Sequence, residues 1–397
     1  MDKHRQIRFF QGISRNIFIL GLVSLFTDLS SQMVFPLIPL FLTTVLGAGA
    51  CAVGIVEGAA ETTASLLEVI SGYWSDKIKK RKPFIFFGYS LSSITKPLFA
   101  FTNFWPSVLF IRVIERIGKG LRTAPRDALV AESCQENVRG KAYGLHRAMD
   151  GIGSVLGAII AFLLLGILGY RNIFLLAFVP GIIGVFVILF IKEKRAPAKR
   201  ETKKTPIKLS LKELPVNLRL FILISSIFAL GHFGYAFLLL RAKNIGLTDN
   251  TAILLYVLFY IVYTLCAIPA GMLSDKIGRK PVLITGYLVF AVTSLGMMFT
   301  SSIYTILMFF IVYGVFYAMI DGVQRALVVD LAPGNLKATA LGTFHTAIGL
   351  VALPGGYIAG LLWDKISPGA TFTYGFTLAI ISIALFMFVK PTSRARS

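Results

Sequence analysis

Twelve stretches of mostly apolar residues follow one another along the chain, each about 20 residues long or longer. A helix of that length crosses the hydrocarbon core of a bilayer, whereas a soluble chain of 397 residues would divide into domains with polar boundaries. The pattern therefore predicts an all-α membrane protein with twelve transmembrane helices. The predicted spans are 16–45, 52–74, 83–102, 106–129, 142–168, 172–191, 218–241, 251–273, 281–300, 304–329, 339–362 and 370–389.

The loops between the predicted spans are short, with one exception. Residues 192–217 are rich in Lys, Pro and Thr, which is typical of a solvated linker. This segment separates six spans from six spans. We therefore predict an N-terminal part of residues 1–191, a basic cytoplasmic linker of residues 192–217 and a C-terminal part of residues 218–397.

The charges predict the orientation of the chain in the membrane. There are 40 Lys and Arg residues against 19 Asp and Glu residues, a net charge of +21, but no nucleic-acid-binding motif accompanies them. When both termini are placed on one side, 28 of the 40 basic residues lie on that side and four lie on the other. Because basic residues concentrate in cytoplasmic loops, both termini are predicted to be cytoplasmic.

The sequence lacks the patterns typical of enzymes and metal sites. It contains no metal-ligand spacing, Walker loop or nucleophile elbow. Cys51, Cys134 and Cys266 are predicted to lie outside, inside and within a span, so we expect no disulfide. We expect no catalytic residue, no metal, no cofactor and no nucleic-acid partner. No cleavable signal is visible, which with the short loops favours a prokaryotic inner membrane. We also expect a monomer.

The two halves of the chain repeat one another. Residues 72–77 (GYWSDK) match residues 271–276 (GMLSDK), and residues 81–83 match residues 279–281, both of which read RKP. The correspondence continues into the spans that follow. Such parallel repeats are typical of transporters whose halves are related by an axis along the membrane normal.

The repeated pattern G-x-x-x-D-(K)-x-x-x-R-K-P resembles the signature loop of the major facilitator superfamily, and the resemblance covers essentially the whole chain. It implies two pseudo-symmetric six-helix bundles around a central cavity that opens alternately to each side of the membrane. It also implies that the loop supports a cytoplasmic gate, with the Arg122, Arg126 and Glu132 side chains expected near Asp76. The expected gating residues are Gly72, Asp76, Arg81, Arg122, Arg126, Glu132, Gly271, Asp275 and Arg279.

The two signature glycines also predict close helix packing. A glycine lets the backbones of two membrane helices approach, so Gly72 and Gly271 should each lie against a neighbouring helix. Gly153 and Gly157 predict the same for span five. They match the first glycines of a G-x-x-x-G-P-x-x-G-G pattern that antiporters of this family often carry, but the proline and the final glycine pair are missing here.

Ionisable residues inside the predicted spans are costly, so each is a candidate for function. The first half has seven acids and seven bases in its spans, whereas the matching positions of the second half are mostly aromatic or apolar. Glu57 corresponds to Tyr256, Glu61 to Tyr260 and Lys119 to Tyr317. The charged residues are Asp28, Glu57, Glu61, Glu68, Glu115, Asp127, Asp150, Lys96, Arg112, Arg116, Lys119, Arg122, Arg126 and Arg147.

Two roles are predicted from this asymmetry. Buried carboxylates near arginines suit proton coupling, and the candidates are Asp28, Glu57, Glu61 and Asp150. The substrate cavity is expected to be lined by Arg112, Arg116, Arg147, Tyr256, Tyr260, Tyr317 and His232. For each of these residues a purely structural role is the alternative interpretation.

The predicted function is secondary-active transport by alternating access, in the form of proton-coupled export of a small organic molecule such as a drug or a metabolite. The partners are then the substrate, protons and the lipid bilayer. One alternative is proton-coupled uptake of an anionic metabolite held by arginines. A second alternative is a membrane sensor or assembly factor that has a transporter fold but does not transport.

Overall fold

The structure is a computed structural model that describes residues 14–135, 138–193, 214–333 and 336–389. The two termini and most of the predicted linker, which carry many of the basic residues counted above, lie outside these ranges. The helices of the first half are α1 (Arg15–Val34), α2 (Leu37–Leu40), α3 (Ala50–Ile78), α4 (Lys82–Thr95), α5 (Trp105–Glu132), α6 (Arg139–Leu176) and α7 (Phe178–Ile188).

The second half repeats this helical pattern. Its helices are α8 (Val216–Gly231), α9 (Gly234–Asn244), α10 (Asp249–Ile277), α11 (Arg279–Phe299), α12 (Ile303–Leu331), α13 (Lys337–Lys365) and α14 (Pro368–Phe386). Two further segments of the first half complete the helical structure, a π-helical turn at Phe41–Val45 and a 3₁₀ helix at Lys96–Phe101. The prediction of an all-α protein is confirmed for the described residues.

Ten helical stretches in the described ranges are long and apolar enough to cross a bilayer. Helix α5 is not among them because eight of its residues are charged. The stretch Lys141–Ile188 is one of the ten although it has 48 residues. A straight helix of that many residues would be about 72 Å long, more than twice the thickness of the hydrocarbon core. Gly169 interrupts that stretch with φ 69° and ψ 175°.

The first span of each half is interrupted. The predicted spans 16–45 and 218–241 contained no such interruption. Helix α1 ends at Val34, one residue before the Phe35-Pro36 pair, because a proline inside a helix removes a backbone donor and clashes with the preceding turn. Helix α8 ends at Gly231, and α9 begins at Gly234, whose φ of 67° is a left-handed conformation that glycine adopts easily.

The chain forms two compact units. The first unit takes its described residues from Met1–Phe35, Leu67–Thr102 and Phe110–Lys203. The second unit takes them from Pro36–Leu66, Asn103–Leu109 and Lys204–Ser397. Residues 36–66 therefore group with the C-terminal half of the chain, and the division at residues 192–217 stays a prediction.

Helix α13 explains why residues 36–66 belong to the second unit. A Cβ atom built on Gly54 of α3 would overlap the carbonyl oxygen of Gly356, so the two helix backbones are in direct contact. The Asp364 carboxylate accepts hydrogen bonds from the backbone N–H groups of Ala50 (2.9 Å) and Cys51 (2.8 Å). An acidic side chain thus caps the positive N-terminal end of α3.

In the first unit, the backbones of α1 and α6 are in direct contact, as those of α3 and α13 are in the second unit. Cβ atoms on Gly153 and Gly157 would overlap the carbonyl oxygens of Leu25 and Leu29. The predicted close packing of these two glycines is confirmed. It places Asp28 of α1 next to α6, where the candidate site lies.

Candidate functional site

Asp28 and Asp150 meet where α1 packs on α6, and their carboxyl groups are hydrogen-bonded to each other. Asp150 also accepts a hydrogen bond from Ser24 Oγ (2.6 Å), and its second oxygen lies 3.4 Å from Arg147 Nη1. A hydrogen bond between two carboxyl groups requires one proton. Because Ser24 and Arg147 both donate to Asp150, they favour the ionised form of that residue over the ionised form of Asp28.

Two arginines of α5 have partners in the first unit other than Asp76, beside which we expected them. Arg126 pairs with Asp127 (Nη2 to Oδ1, 2.9 Å), and its Nη1 lies 3.5 Å from Ser24 Oγ. Ser24 therefore contacts both Arg126 and the acid pair. The guanidinium of Arg122 is 4.3 Å from the centre of the Tyr89 ring, a distance suited to a cation–π contact.

A second buried ionic cluster is centred on Glu115, which sequence reasoning counted among the acids without assigning it a role. The Glu115 Oε2 atom lies 3.4 Å from Arg112 Nη1 and 3.5 Å from Arg116 Nε, and Oε1 accepts a hydrogen bond from Ser92 (2.9 Å). Both guanidinium groups also stack on the Phe35 ring, at 4.1 and 4.7 Å. The i, i+3 spacing of Arg112 and Glu115 on one helix was the signal that was available for this cluster.

In the second unit, the candidate site is built around the interruption between α8 and α9. His232 occupies that interruption, and its Nε2 is 2.9 Å from the Tyr313 hydroxyl. The ring of Tyr317 lies 6.2 Å from the His232 ring. Helix interruptions at membrane depth are tolerated where the backbone is buried in protein or lines a cavity, and in transporters they mark binding sites.

Five tyrosines form a connected surface beside His232, which we call the tyrosine surface: Tyr235, Tyr256, Tyr260, Tyr263 and Tyr317. Successive ring centres are 5.0 Å apart for the first pair, then 5.8, 5.6 and 5.2 Å. The structure therefore brings together the predicted Tyr256, Tyr260, Tyr317 and His232. Tyr235, Tyr263 and Tyr313 were missed, although Tyr263 follows Tyr260 and Tyr256 at helical spacing on one face of α10.

Glu57 and Glu61 belong to the second unit and lie at this surface. The Glu57 carboxylate interacts electrostatically with Tyr256, and that of Glu61 interacts with Tyr317 and His232. The Glu61 side chain is exposed. A charged side chain facing lipid in mid-span is very costly, so an exposed Glu61 lines a water-accessible space.

The four proton-coupling candidates are thus divided between the units. Asp28 and Asp150 form one pair in the first unit, while Glu57 and Glu61 accompany the tyrosine surface in the second. Arg147 of the predicted substrate set contacts Asp150 of the first pair.

The repeated loop has the same arrangement in both halves. Arg81 pairs with Asp76 and with Glu132 (3.1 Å), and its Nη1 donates to Ser75 Oγ (2.7 Å). Burial lowers the pKa of the Arg81 guanidinium, but the hydrogen bonds and charges of Asp76 and Glu132 outweigh it and raise this pKa above its usual value. In the second copy, Arg279 contacts the equivalent partners Asp275 (2.6 Å), Asp330 (3.3 Å) and Ser274 (2.5 Å).

The two signature glycines differ. A Cβ atom on Gly72 would lie 3.2 Å from the Ala124 side chain, so α3 and α5 approach closely there as predicted. Around Gly271, no other atom of the described ranges comes within 4 Å of such a Cβ. The predicted close approach at Gly271 is therefore wrong.

Apolar helices of membrane-spanning length in two repeated halves, matching acid–arginine loops and ionisable groups inside the spans are features of a membrane transporter. The chain belongs to the Major Facilitator Superfamily, whose family model matches residues 20–240 and 219–397. It is accordingly a membrane transporter and not an enzyme, as predicted.

Relatives and solved structures agree with this assignment. An uncharacterized MFS-type transporter of Methanocaldococcus jannaschii is 42% identical over 385 residues, which cover 95% of each chain. A multi-drug resistance efflux pump of Streptococcus pneumoniae is 30% identical over 121 residues, or 30% of each chain. The crystal structure of a mutant of the nucleoside transporter NupG has a TM-score of 0.80 at 14% identity, covering 94% of this chain and all of that one, and so shares its fold.

Proposed function

We propose that this protein is a proton-coupled exporter of small organic molecules that works by alternating access. The observation that carries the proposal is the hydrogen-bonded carboxyl pair of Asp28 and Asp150 inside the spans of a transporter. Two such groups share one proton, because like charges at hydrogen-bond distance cannot both ionise easily. The pair is therefore a site at which a single proton can be bound and released.

The packing of α1 on α6 couples that proton to helix position. When Asp28 is deprotonated, two negative charges face each other across helices that Gly153 and Gly157 hold in backbone contact. The charges then drive α1 away from α6, or draw Arg126 inward past Ser24, from which its Nη1 is 3.5 Å away. Either movement makes the conformation of the first unit depend on the protonation state of Asp28, as proton-driven alternating access requires.

We also propose twelve membrane crossings with both termini in the cytoplasm. Helix α5 serves as a span despite its charges because Arg112 and Glu115 on it are fully buried inside the first unit and do not face lipid. Gly169 divides Lys141–Ile188 into two crossings. The excess of basic residues on the side of the termini supports the orientation.

Export is favoured over uptake of an anion by the partners of the arginines. Arg112 and Arg116 share the carboxylate of Glu115, and Arg147 contacts Asp150, so each arginine of the predicted anion clamp has a protein carboxylate beside it. The resemblance to a multi-drug efflux pump over part of the chain supports the same direction. A sensor or assembly factor that does not transport would not need a carboxyl pair that binds and releases a proton.

Transport in proteoliposomes tests the proposal. The full-length protein is reconstituted with DNA trapped inside, so that the fluorescence of ethidium, a planar organic ion, reports its entry through molecules whose cytoplasmic side faces outward. An acidic interior should then accelerate ethidium entry at least about tenfold over protein-free liposomes. The Asp28→Asn variant should lose this acceleration, because an amide cannot release the proton.

The Asp249→Asn variant is the control, since Asp249 lies outside the carboxyl pair and contacts Lys243 (2.6 Å). It should respond to the gradient as the unmodified protein does. Infrared difference spectra between acidic and alkaline pH add a readout that needs no substrate: the carbonyl band of a protonated carboxyl should be present, and weaker in Asp28→Asn. Entry that ignores the gradient, or an Asp28→Asn variant with full acceleration and an unchanged band, would overturn the proposal.

A further inference from the structure

The second unit contains a recognition surface whose chemistry is distinct from that of the carboxyl pair. We propose that the tyrosine surface, with Glu57 and Glu61, binds an organic cation that carries an aromatic ring, and that this is the class of substrate the protein exports. The inference rests on the proposed transport function and adds the substrate class to it.

The first support is the geometry of the rings. Tyr263 meets Tyr317 at 5.2 Å with an interplanar angle of 89°, and meets Tyr260 at 5.6 Å and 85°. Rings set nearly perpendicular to one another present both faces and edges to a neighbouring molecule. The ring face carries the negative part of the aromatic quadrupole and attracts cations, whereas a flat aromatic ligand stacks on the same faces.

The second support is the exposure of the surface. Tyr260, Tyr263 and Tyr317 are each half-buried, and Glu61 beside them is exposed. A tyrosine that served only as core would be closed over by its neighbours, as Tyr256 at one end of the surface and the adjacent Tyr313 are. The exposed part therefore faces the water-accessible space that Glu61 requires.

The third support is the sign of the charges. Glu57 and Glu61 both interact electrostatically with tyrosines of this surface. Asp321 adjoins the surface through the Tyr263 hydroxyl (3.0 Å) and pairs with Arg325 (2.8 Å). An anion at this place would meet negative ring faces and two further carboxylates, whereas a cation is favoured by both.

The interruption at His232 gives the surface a fixed position. His232 lies between α8 and α9, is hydrogen-bonded to Tyr313 and stacks beside Phe228 at 6.0 Å with an interplanar angle of 15°. The broken helix is thus held by Tyr313 and Phe228, neither of which belongs to the tyrosine surface. A bound ring can rest on Tyr260 and Tyr317 without displacing this support.

The test compares two dyes that share a xanthene ring but differ in charge. Rhodamine 6G is a cation and fluorescein is an anion at neutral pH, and fluorescence anisotropy reports the binding of each to the purified full-length protein in detergent, with protein-free micelles as the blank. Rhodamine 6G should bind at least about tenfold more tightly than fluorescein. The comparison uses the unmodified protein, so it does not depend on whether a variant folds.

Variants locate the site. Glu61→Gln should weaken rhodamine 6G binding about tenfold, and Glu57→Gln should do so severalfold, because each removes a carboxylate from the surface. Tyr260→Leu should also weaken it severalfold, whereas Tyr260→Phe, which keeps the ring, should bind as the unmodified protein does. Asp249→Asn is the matched control, since it removes an acid from the same helix α10 two turns before Tyr256.

Equal binding of the two dyes, tighter binding of fluorescein, or unchanged rhodamine 6G binding in folded Glu61→Gln and Glu57→Gln would overturn the inference. The assay contains no gradient, so its outcome is separate from that of the transport proposal. Selective binding of the cation without gradient-driven ethidium transport would leave this site intact and contradict proton coupling. Gradient-driven ethidium transport without selective binding of rhodamine 6G would support proton coupling and contradict the cation site.

Discussion

Replacing Gly54 with alanine should strongly destabilise the protein or force α3 away from α13. The added methyl group would overlap the carbonyl oxygen of Gly356, and the reverse overlap exists for a Cβ on Gly356 against Gly54. Backbone atoms on both sides cannot move aside as a flexible side chain would. Overpacking of this kind costs about 1–3 kcal/mol and sometimes more, so we expect a lower thermal unfolding temperature in detergent.

Gly271→Ala is a matched control for that experiment, because Gly271 also lies in a long membrane helix but no atom of the described ranges is within 4 Å of its Cβ position. It should leave the unfolding temperature unchanged or raise it slightly, since alanine favours helix more than glycine. Cys51, which packs against Gly360 in the same contact, gives a second readout. If Gly54→Ala folds, its Cys51 thiol should react faster with a maleimide. An unchanged rate and unfolding temperature would contradict the backbone contact between α3 and α13.

Removal of the Glu115 carboxylate should have a comparably large effect. Arg112 and Glu115 are fully buried, and Arg116 is nearly so. Breaking a buried ion pair by deleting one partner typically costs about 3–5 kcal/mol, because a charge remains in a medium that solvates it poorly. The Glu115→Ala variant should therefore unfold at a markedly lower temperature, or fail to accumulate in the membrane.

Glu132 provides the comparison on the same helix. Its side chain is 48% exposed and pairs with Arg81, and an exposed pair of this kind contributes at most about 1 kcal/mol. Glu132→Gln should therefore unfold close to the unmodified protein. Equal unfolding temperatures for the Glu115→Ala and Glu132→Gln variants would show that the Glu115 cluster is not the stabilising element its burial indicates.

Much of this architecture could be predicted from the sequence, because the thickness of a bilayer fixes the length of an apolar helix. The repeated loop was equally readable, since Arg81 and Arg279 follow Asp76 and Asp275 by a few residues. The helix break before Pro36 had a signal in the proline itself. The break at His232 had a weaker one, in the two glycines that flank it.

The partners of the buried charges could not be predicted in the same way. Helical spacing tells which face of a helix a side chain occupies, but not which helix that face meets. Asp28 and Asp150 are far apart in sequence and meet only because Gly153 and Gly157 let α1 and α6 touch. In the same way, the glycines of α13 place Glu57 and Glu61 in the unit that contains the tyrosines rather than in the unit that contains most of the basic residues of the first half.

The two repeats place Glu115 of α5 and Tyr313 of α12 at equivalent positions. Each is buried and hydrogen-bonded, Glu115 to Ser92 and Tyr313 to His232. One ancestral backbone, once duplicated, has thus accepted a salt-bridged interior in one copy and an aromatic interior in the other. Because the effects of substitutions in separate regions tend to add, one of the two interiors can change its chemistry without altering the other.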